Sequence, residues 1–108
     1  MKYEVKYSSK ALKDLYKLDN SQQVRVIKAI KKVSANPVSI YEGGFGKPLG
    51  IANGINLKNC YKIKLKKDGI RVVYKLIKVD KKMFVIVIGA RADDEVYIEA
   101  EKRIKASK

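Results

Sequence analysis

Histidine is absent from the 108-residue sequence, which removes the side chain that proteins use most often for acid–base catalysis near neutral pH. Without histidine there is no serine–histidine–aspartate triad, and most zinc sites lose a usual ligand. The single cysteine, Cys60, excludes an internal disulfide. As a nucleophile it would lack a histidine base, so we interpret Cys60 as a small strand residue. Any catalysis must depend on other side chains.

The sequence also lacks an apolar run of the roughly 20 residues that a membrane-spanning helix requires. Its longest run, Met83 to Ile88, has the length of a β-strand. The first ten residues contain no apolar segment of the kind found in secretory signal peptides. With the lone cysteine, which fits a reducing compartment, these features predict a cytoplasmic protein without membrane contact. The length predicts a single domain over residues 1–108.

Acidic residues are scarce: 11 Asp and Glu oppose 25 Lys and Arg, giving a formal net charge of +14. A field of this size attracts polyanions, so a nucleic acid or an acidic protein is the expected partner. The charge is concentrated between Lys58 and Lys82, where only Asp68 and Asp80 oppose the basic residues. Within this segment we expect RNA contacts from Lys58, Lys66, Lys67 and Lys75. Charge alone does not separate an RNA enzyme from a passive binder.

The first third of the chain predicts one strand and two helices. Residues 3–7 alternate with period two, as in a short strand. Ser8 or Ser9 can cap the first helix, and Ser21 can cap the second, which ends before Pro37 because the residue preceding proline avoids helical geometry. The apolar stripe predicted for the second helix is Val24, Ile27, Ile30 and Val33. The two helices predict an antiparallel hairpin packed on a sheet.

The rest of the chain predicts a surface loop, three strands and a helix. Residues 37–57 are rich in glycine without the spacing of a phosphate-binding loop, and we interpret them as a surface loop. Residues 60–66 and 70–79 predict a hairpin, and 83–89 predict an apolar central strand. A helix is expected from Asp93 onward, with acidic residues near its start. The fold class is therefore α+β: a small antiparallel sheet, an N-terminal helical hairpin packed on it and a short C-terminal helix.

The predicted hairpin gathers positive charge on one face of the sheet. A two-residue turn at Asp68-Gly69 would place Lys66 opposite Arg71, so that Arg71 projects from the same face as Lys62 and Lys64. Like charges at neighbouring positions repel one another unless they are solvated or meet an anion. A solvated sheet face and an anion-binding site are both compatible with this pattern.

Three segments resemble the C-terminal half of RelE-type toxins: NCYKIKLKKDGIRVVYKLI, FVIVIGAR and EVYIEAEKRI. The family pattern runs through CYKIKL, a turn, glycine–aromatic–RLVY, an apolar strand ending in G-x-R, and EVY on the last helix. The first half is similar more loosely, through KALKDLYKLD. The similarity covers the chain apart from the glycine-rich loop, which looks longer than is usual in the family.

The resemblance implies a metal-independent endoribonuclease that needs no cofactor. It would cut mRNA in the A site of the 30S ribosomal subunit and would be restrained by a RelB-like antitoxin. The charge of +14 suits an acidic, partly disordered antitoxin segment that orders on binding.

The resemblance also implies roles for five residues. Lys64 matches the lysine proposed as general base, and Lys62 and Arg71 match groups proposed to stabilise the charged transition state. Arg91 matches the arginine proposed as general acid for the leaving 5′-oxygen. Tyr97 matches the tyrosine that stacks on the flipped-out nucleotide. In a departure from the family, Asp93 occupies a position that is often basic.

This chemistry needs no metal in principle, because RNA supplies its own 2′-OH nucleophile and the enzyme must align it and neutralise the phosphorane. A lysine base is harder to explain: with a pKa of ~10.4, only about 0.04% is neutral at pH 7. Neighbouring cations lower a lysine pKa, so Lys64 is either a general base or an electrostatic stabiliser. The alternatives are a ParE-like inhibitor of DNA gyrase and a non-enzymatic RNA- or ribosome-binding protein. The presence of both Arg91 and Tyr97 favours the enzyme.

Overall fold

The computed structural model describes residues 2–52, 54–90 and 95–106. Its helices are α1 (Ser9–Tyr16), α2 (Asn20–Ser34) and α3 (Glu95–Ala106), with a short 3-10 turn at Ile40–Glu42. Its strands are β1 (Glu4–Tyr7), β2 (Lys47–Pro48), β3 (Ile51–Ala52), β4 (Ile55–Asn56), β5 (Cys60–Leu65), β6 (Ile70–Ile77) and β7 (Lys82–Ala90). Among the described residues, no helix combines the length and apolar character needed to cross a membrane.

Five strands form one sheet in the order β1-β7-β6-β5-β2. The apolar strand β7 lies inside the sheet, as its sequence predicts, between β1 and β6. The β2–β5, β5–β6 and β6–β7 pairs are antiparallel, whereas β1 runs parallel to β7. The predicted α+β class is confirmed, and the sheet is mixed because β1 joins it from the far end of the chain.

The register of the β5–β6 hairpin differs from the two-residue turn that we predicted. Leu65 pairs with Ile70 and Lys64 with Arg71, so residues 66–69 form a four-residue connection. Gly69 closes it with a φ of 64°, in the left-handed region that glycine tolerates. Asp68 is held by Arg25 of α2 at 2.6 Å instead of lying at the tip of a tight turn. Because the pairing shifts by two residues, Arg71 still shares a face with the lysines of β5.

Helix α2 corrects two predictions. Its N-cap is Asp19, whose side chain accepts a hydrogen bond from the backbone of Gln22 at 2.8 Å, and not Ser21. The predicted stripe is half wrong: Val24 and Ile27 are 51% and 43% exposed. The buried apolar residues of the helix are Val26, Ile30 and Val33. Two stripes of helical spacing share the C-terminal half of α2, and packing on the sheet selects the one that begins at Val26. Of the two caps predicted for α1, Ser8 and Ser9, the structure selects Ser8, whose side chain accepts a hydrogen bond from the backbone of Ala11 at 3.0 Å.

The sheet separates two hydrophobic clusters. On one face, helices α1 and α2 cover side chains of β5, β6 and β7 that include Ile63, Val72, Tyr74, Met83 and Val85. On the other face, α3 covers a smaller cluster around Cys60, Val73, Val87, Val96 and Ala100. Strand β7 has a β-bulge opposite the Val73–Tyr74 step of β6, because Val73 pairs with Val87 and Tyr74 with Val85. The extra residue in β7 changes the face of the sheet to which the alternating side chains of that strand point. Of the described helices, α3 alone contributes to the cluster on this second face, and Lys64 on the same face stays exposed.

The glycine-rich segment lies at the surface as expected, but it contains three short strands. Strand β2 pairs with β5, with Lys47 opposite Lys62, and β3 pairs with β4 as a separate hairpin. Gly46 permits the close packing before β2, since a Cβ there would lie 2.6 Å from both Pro37 O and the Tyr74 hydroxyl. The segment therefore extends the sheet beside the predicted site.

Candidate active site

The structure brings together four of the five predicted catalytic residues. Strand β5 projects Lys62 and Lys64 away from the core, because the alternate residue Ile63 points into it. Strand β6 places Arg71 directly opposite Lys64. Helix α3 brings Tyr97 over the same face of the sheet, where its ring meets Lys62 and Arg71.

Tyr97 is held by two cations. Arg71 Nη1 donates a hydrogen bond to the Tyr97 hydroxyl at 2.9 Å, and the guanidinium carbon lies 5.5 Å from the ring centroid. Lys62 Nζ lies 6.0 Å from the same centroid, at the outer limit of a cation–π contact. Arg71 Nε is buried without a hydrogen-bond partner among the described residues. The hydrogen bond between Arg71 and Tyr97 orients both the guanidinium and the phenol. Because the hydroxyl is a neutral acceptor, this bond leaves most of the positive charge of Arg71 uncompensated.

Lys62, Lys64 and Arg71 form a cluster of cations around Tyr97, and this cluster depresses the pKa of Lys64 below its usual value. The largest cause is the positive charge of Lys62, followed by burial and then by the charges of Arg71, Lys47 and Lys66. Across the described residues, no ion pair joins Lys62, Lys64 or Arg71 to a carboxylate. An anion with several oxygens, such as a phosphodiester, would relieve this repulsion.

A family model, that of the ParE toxin of type II toxin–antitoxin systems (parDE), matches residues 5–95. The mRNA interferase toxin RelE of Escherichia coli strain K12 is 35% identical over 104 residues, which cover 96% of this chain and 99% of the relative. The chain belongs to the RelE/ParE family of toxins.

Solved structures of RelE toxins share this fold. An arginine double mutant of the Escherichia coli toxin RelE in the free state is 34% identical, with a TM-score of 0.76 over 96% of this chain and 99% of that one. The same mutant in complex with a peptide of the antitoxin RelBc is 30% identical, with a TM-score of 0.67 over 93% of this chain and 95% of that one. The predicted resemblance to RelE toxins is therefore confirmed.

The fifth predicted catalytic residue of this RelE/ParE family member, Arg91, lies outside the described residues, as does Asp93. Gly89 and Ala90 end strand β7 directly before it, and Gly89 pairs with Arg71. The strand register therefore places Gly89 beside Arg71 of the cluster. The role of Arg91 stays a prediction.

The four lysines expected to contact RNA divide into two groups. Lys66 and Lys67 lie in the connection after β5, next to Lys64, and both are exposed. Lys58 and Lys75 line a pocket with Glu101 and Lys105 of α3. Of these four lysines, Lys66 and Lys67 are therefore the two that lie next to Lys64.

Sequence reasoning missed Lys47. Strand β2 pairs it with Lys62, and its charge contributes to the lowered pKa of Lys64. The two-residue strand sits within a glycine-rich segment, so no alternating pattern marked it. Lys47 adds a further cation to the face of the sheet that carries Lys62 and Lys64 in this RelE/ParE family member.

Cys60 lies in the buried half of the same face, and burial raises its pKa to about 11. A thiol with so high a pKa is a poor nucleophile at neutral pH, which agrees with its interpretation as a small strand residue. Among the described residues, no group of histidine, cysteine, aspartate or glutamate side chains has the arrangement of a metal site.

Proposed function

We propose that this protein is a ribosome-dependent mRNA endoribonuclease, the toxin of a type II toxin–antitoxin system. It cleaves mRNA in the ribosomal A site by attack of the 2′-OH on the adjacent phosphate, and so inhibits translation. The observation that carries the proposal is the cluster of Lys62, Lys64 and Arg71, unpaired by any described carboxylate, around the ring of Tyr97. A relative that is 35% identical bears the name mRNA interferase toxin.

Each residue of the cluster suits one task in that reaction. Lys62 and Arg71 neutralise the charge that develops on the phosphorane, since fixed cations in a partly dry site act strongly on such charge. Lys64 takes the proton of the 2′-OH, because its lowered pKa makes the neutral amine more available than in an ordinary lysine. Tyr97 stacks on the exposed base next to the scissile bond. Arg91 delivers a proton to the leaving 5′-oxygen.

Substrate and partner follow from the charge and from the relatives. The basic face, with Lys66 and Lys67 beside the cluster and Lys58 and Lys75 beyond α3, follows the RNA backbone. A RelB-like antitoxin holds the toxin inactive, as the solved complex between a RelE mutant and an antitoxin peptide suggests for this family. The protein acts in the cytoplasm as one domain over residues 1–108 and needs no cofactor.

The test is cell-free translation of a defined message, with primer extension to map the cuts. We expect cuts at fixed positions within codons, dependent on ribosomes, and a loss of cutting of about a hundredfold or more for Arg71→Gln. The matched control is Lys28→Gln, which removes one charge at an exposed position of α2, on the other side of the sheet. Rapid cutting of naked RNA, unaffected by ribosomes, would contradict the proposal.

The second candidate is ParE-like inhibition of DNA gyrase, favoured by the name of the matching family model. The same purified protein separates the two functions. Gyrase-catalysed supercoiling that stops in its presence, while translated mRNA stays intact, would support the ParE-like function. Intact supercoiling with cut mRNA would support the nuclease.

A further inference from the structure

Strand β7 loses its neighbour halfway along one edge. Strand β1 ends at Tyr7, opposite Val85, and among the described residues no strand pairs with β7 beyond Val85 on that side. Side chains take over the hydrogen bonds there. Arg103 Nη1 of α3 donates to Ile86 O at 2.8 Å, and the backbone N–H of Ile88 donates to Asp14 Oδ2 of α1 at 3.1 Å.

Asp14 and Arg103 also bind each other with two parallel contacts. Arg103 Nη1 lies 2.7 Å from Asp14 Oδ2 and Nη2 lies 3.2 Å from Oδ1. Both side chains are only 14% exposed, and Glu99 accepts from Arg103 Nε at 2.8 Å. A bidentate pair that is largely withdrawn from solvent fixes geometry more firmly than a surface ion pair does. One junction therefore joins α1, β7 and α3.

The junction lies on the helix that carries Tyr97. Arg103 follows Tyr97 by six residues, or about 9 Å along the helix axis at 1.5 Å per residue. Between them Ala100 is fully buried, and before them Val96 packs so closely on Gly89 that a Cβ there would lie 3.0 Å from Val96 Cγ2. Contacts of α3 on both sides of Tyr97, at Val96 and at Arg103, therefore restrain the tilt of the helix.

We propose that Asp14 and Arg103 are positioning residues for the site, holding α3 at the angle at which Tyr97 meets Arg71 and Lys62. The proposal rests on the proposed nuclease function for its effect on the rate, and it stands on the geometry of α3 alone for its effect on Tyr97. Neither residue touches the cluster itself.

The first measurement follows the Tyr97 ring by NMR in the full chain with labelled tyrosine, its signals assigned by their loss in Tyr97→Phe. We expect Arg103→Gln and Asp14→Asn to shift or broaden these signals. The matched control is Lys102→Gln, which removes a charge from an exposed position next to Arg103 and should leave them unchanged. The NMR measurement does not depend on catalysis. It therefore tests the positioning of Tyr97 even if the proposed nuclease function is wrong.

The second measurement is single-turnover cleavage on ribosomes over a range of ribosome concentrations. We expect both variants to lower the maximal rate by about tenfold to a hundredfold, the range for a displaced catalytic group, and to change half-saturation by less than about threefold. In a Tyr97→Ala background, Arg103→Gln should lower the rate no further, because its effect passes through Tyr97.

Three outcomes would overturn the positioning role. The first is an unchanged Tyr97 signal in folded Arg103→Gln protein. The second is an equal fold-loss of rate with and without the Tyr97 side chain. The third is unfolding of both variants at the assay temperature by circular dichroism, which would make the junction purely structural. Asp14→Asn is the milder of the two variants, because its amide oxygen can still accept a hydrogen bond from the backbone N–H of Ile88. We therefore expect it to stay folded and to separate a loss of positioning from a loss of structure.

Discussion

The two faces of the sheet differ sharply although the same strands build both. Strand β5 sends Ile63 into the cluster beneath α1 and α2, while its neighbour Lys64 projects from the opposite face. The first face is closed by two helices. The second is closed by α3 over a cluster around Val73, and next to that cluster it carries the cations Lys62, Lys64 and Arg71. The candidate site lies at this boundary, where Tyr97 belongs to the edge of the apolar cluster and also contacts Arg71.

This difference separates stability from function. On the closed face, substitutions should cost free energy of unfolding and leave the chemistry of the cluster alone. On the open face, cations that repel one another contribute little to stability, and removing one should affect the reaction instead.

Truncation of Ile30 on the closed face should have the largest effect. Ile30 is 1% exposed, and Ile30→Ala should lower the free energy of unfolding by about 2–5 kcal/mol, the cost of a lost side chain plus the cavity it leaves. Ile27→Ala, one turn away on the same helix but 43% exposed, is the matched control and should cost about 1 kcal/mol or less. Urea denaturation measures both. Equal losses would mean that the buried stripe of α2 is assigned wrongly.

Tyr97 at the boundary should show a graded effect on the reaction. Tyr97→Ala removes the stacking ring, worth ~1–3 kcal/mol per base, and the partner of Arg71, so the single-turnover rate should fall by about a hundredfold. Tyr97→Phe keeps the ring and loses only the hydroxyl that accepts from Arg71, so a loss of about tenfold is expected. A Phe variant as impaired as the Ala variant would show that the hydroxyl itself takes part in the chemistry.

The pH dependence of cleavage tests the open face more finely. Lys62 is the largest cause of the lowered pKa of Lys64, so Lys62→Gln should raise that pKa towards its ordinary value. If neutral Lys64 is the base, the rising limb of the rate–pH profile moves to higher pH, whatever happens to the maximal rate.

Lys47→Gln is the matched comparison for that profile. Lys47 also lowers the pKa of Lys64, but it ranks behind Lys62 and Arg71, so the limb should move in the same direction by less. A profile that moves in neither variant would make Lys64 an electrostatic stabiliser and not a base.

Cys60, in the covered half of the second face, should give the smallest effect. With a pKa of about 11 caused mainly by burial, its thiol should resist alkylation by iodoacetamide near pH 8, where roughly 0.1% is thiolate. Mass spectrometry should find the native protein unlabelled and the urea-unfolded protein labelled. Fast labelling of the native protein would mean that α3 does not keep this half of the face closed.

Patterns with a local cause were predicted well. Strict alternation in residues 60–66 defines β5 and its lysine face, and the apolar run from Met83 defines the interior strand β7. The Ser8 cap follows from the hydroxyl that satisfies a helix N-terminus. The motifs of β5, β6, β7 and α3 together predicted membership of the RelE-type toxins, which the family match and the relatives confirm.

Predictions failed where several local patterns were equally allowed. Both Asp19 and Ser21 are good caps, and α2 carries two apolar stripes, so packing on the sheet decided between them. The turn after β5 follows the ion pair between Arg25 and Asp68, which lie 43 residues apart. Such long-range contacts leave no periodic trace in the chain.

The alternation of β1 and β5, the apolar run of β7, the excess of positive charge and the family can all be read from the chain, because they are properties of neighbouring residues and of motifs. The packing of the fold decides which faces are covered, that Lys47 pairs with Lys62, and that Asp14 and Arg103 make hydrogen bonds to β7 beyond the end of β1. Those contacts depend on where β1 and β2 end in the sheet. Strand ends and edge partners are set by the packing of the whole molecule, and no residue's neighbours in the chain reveal them.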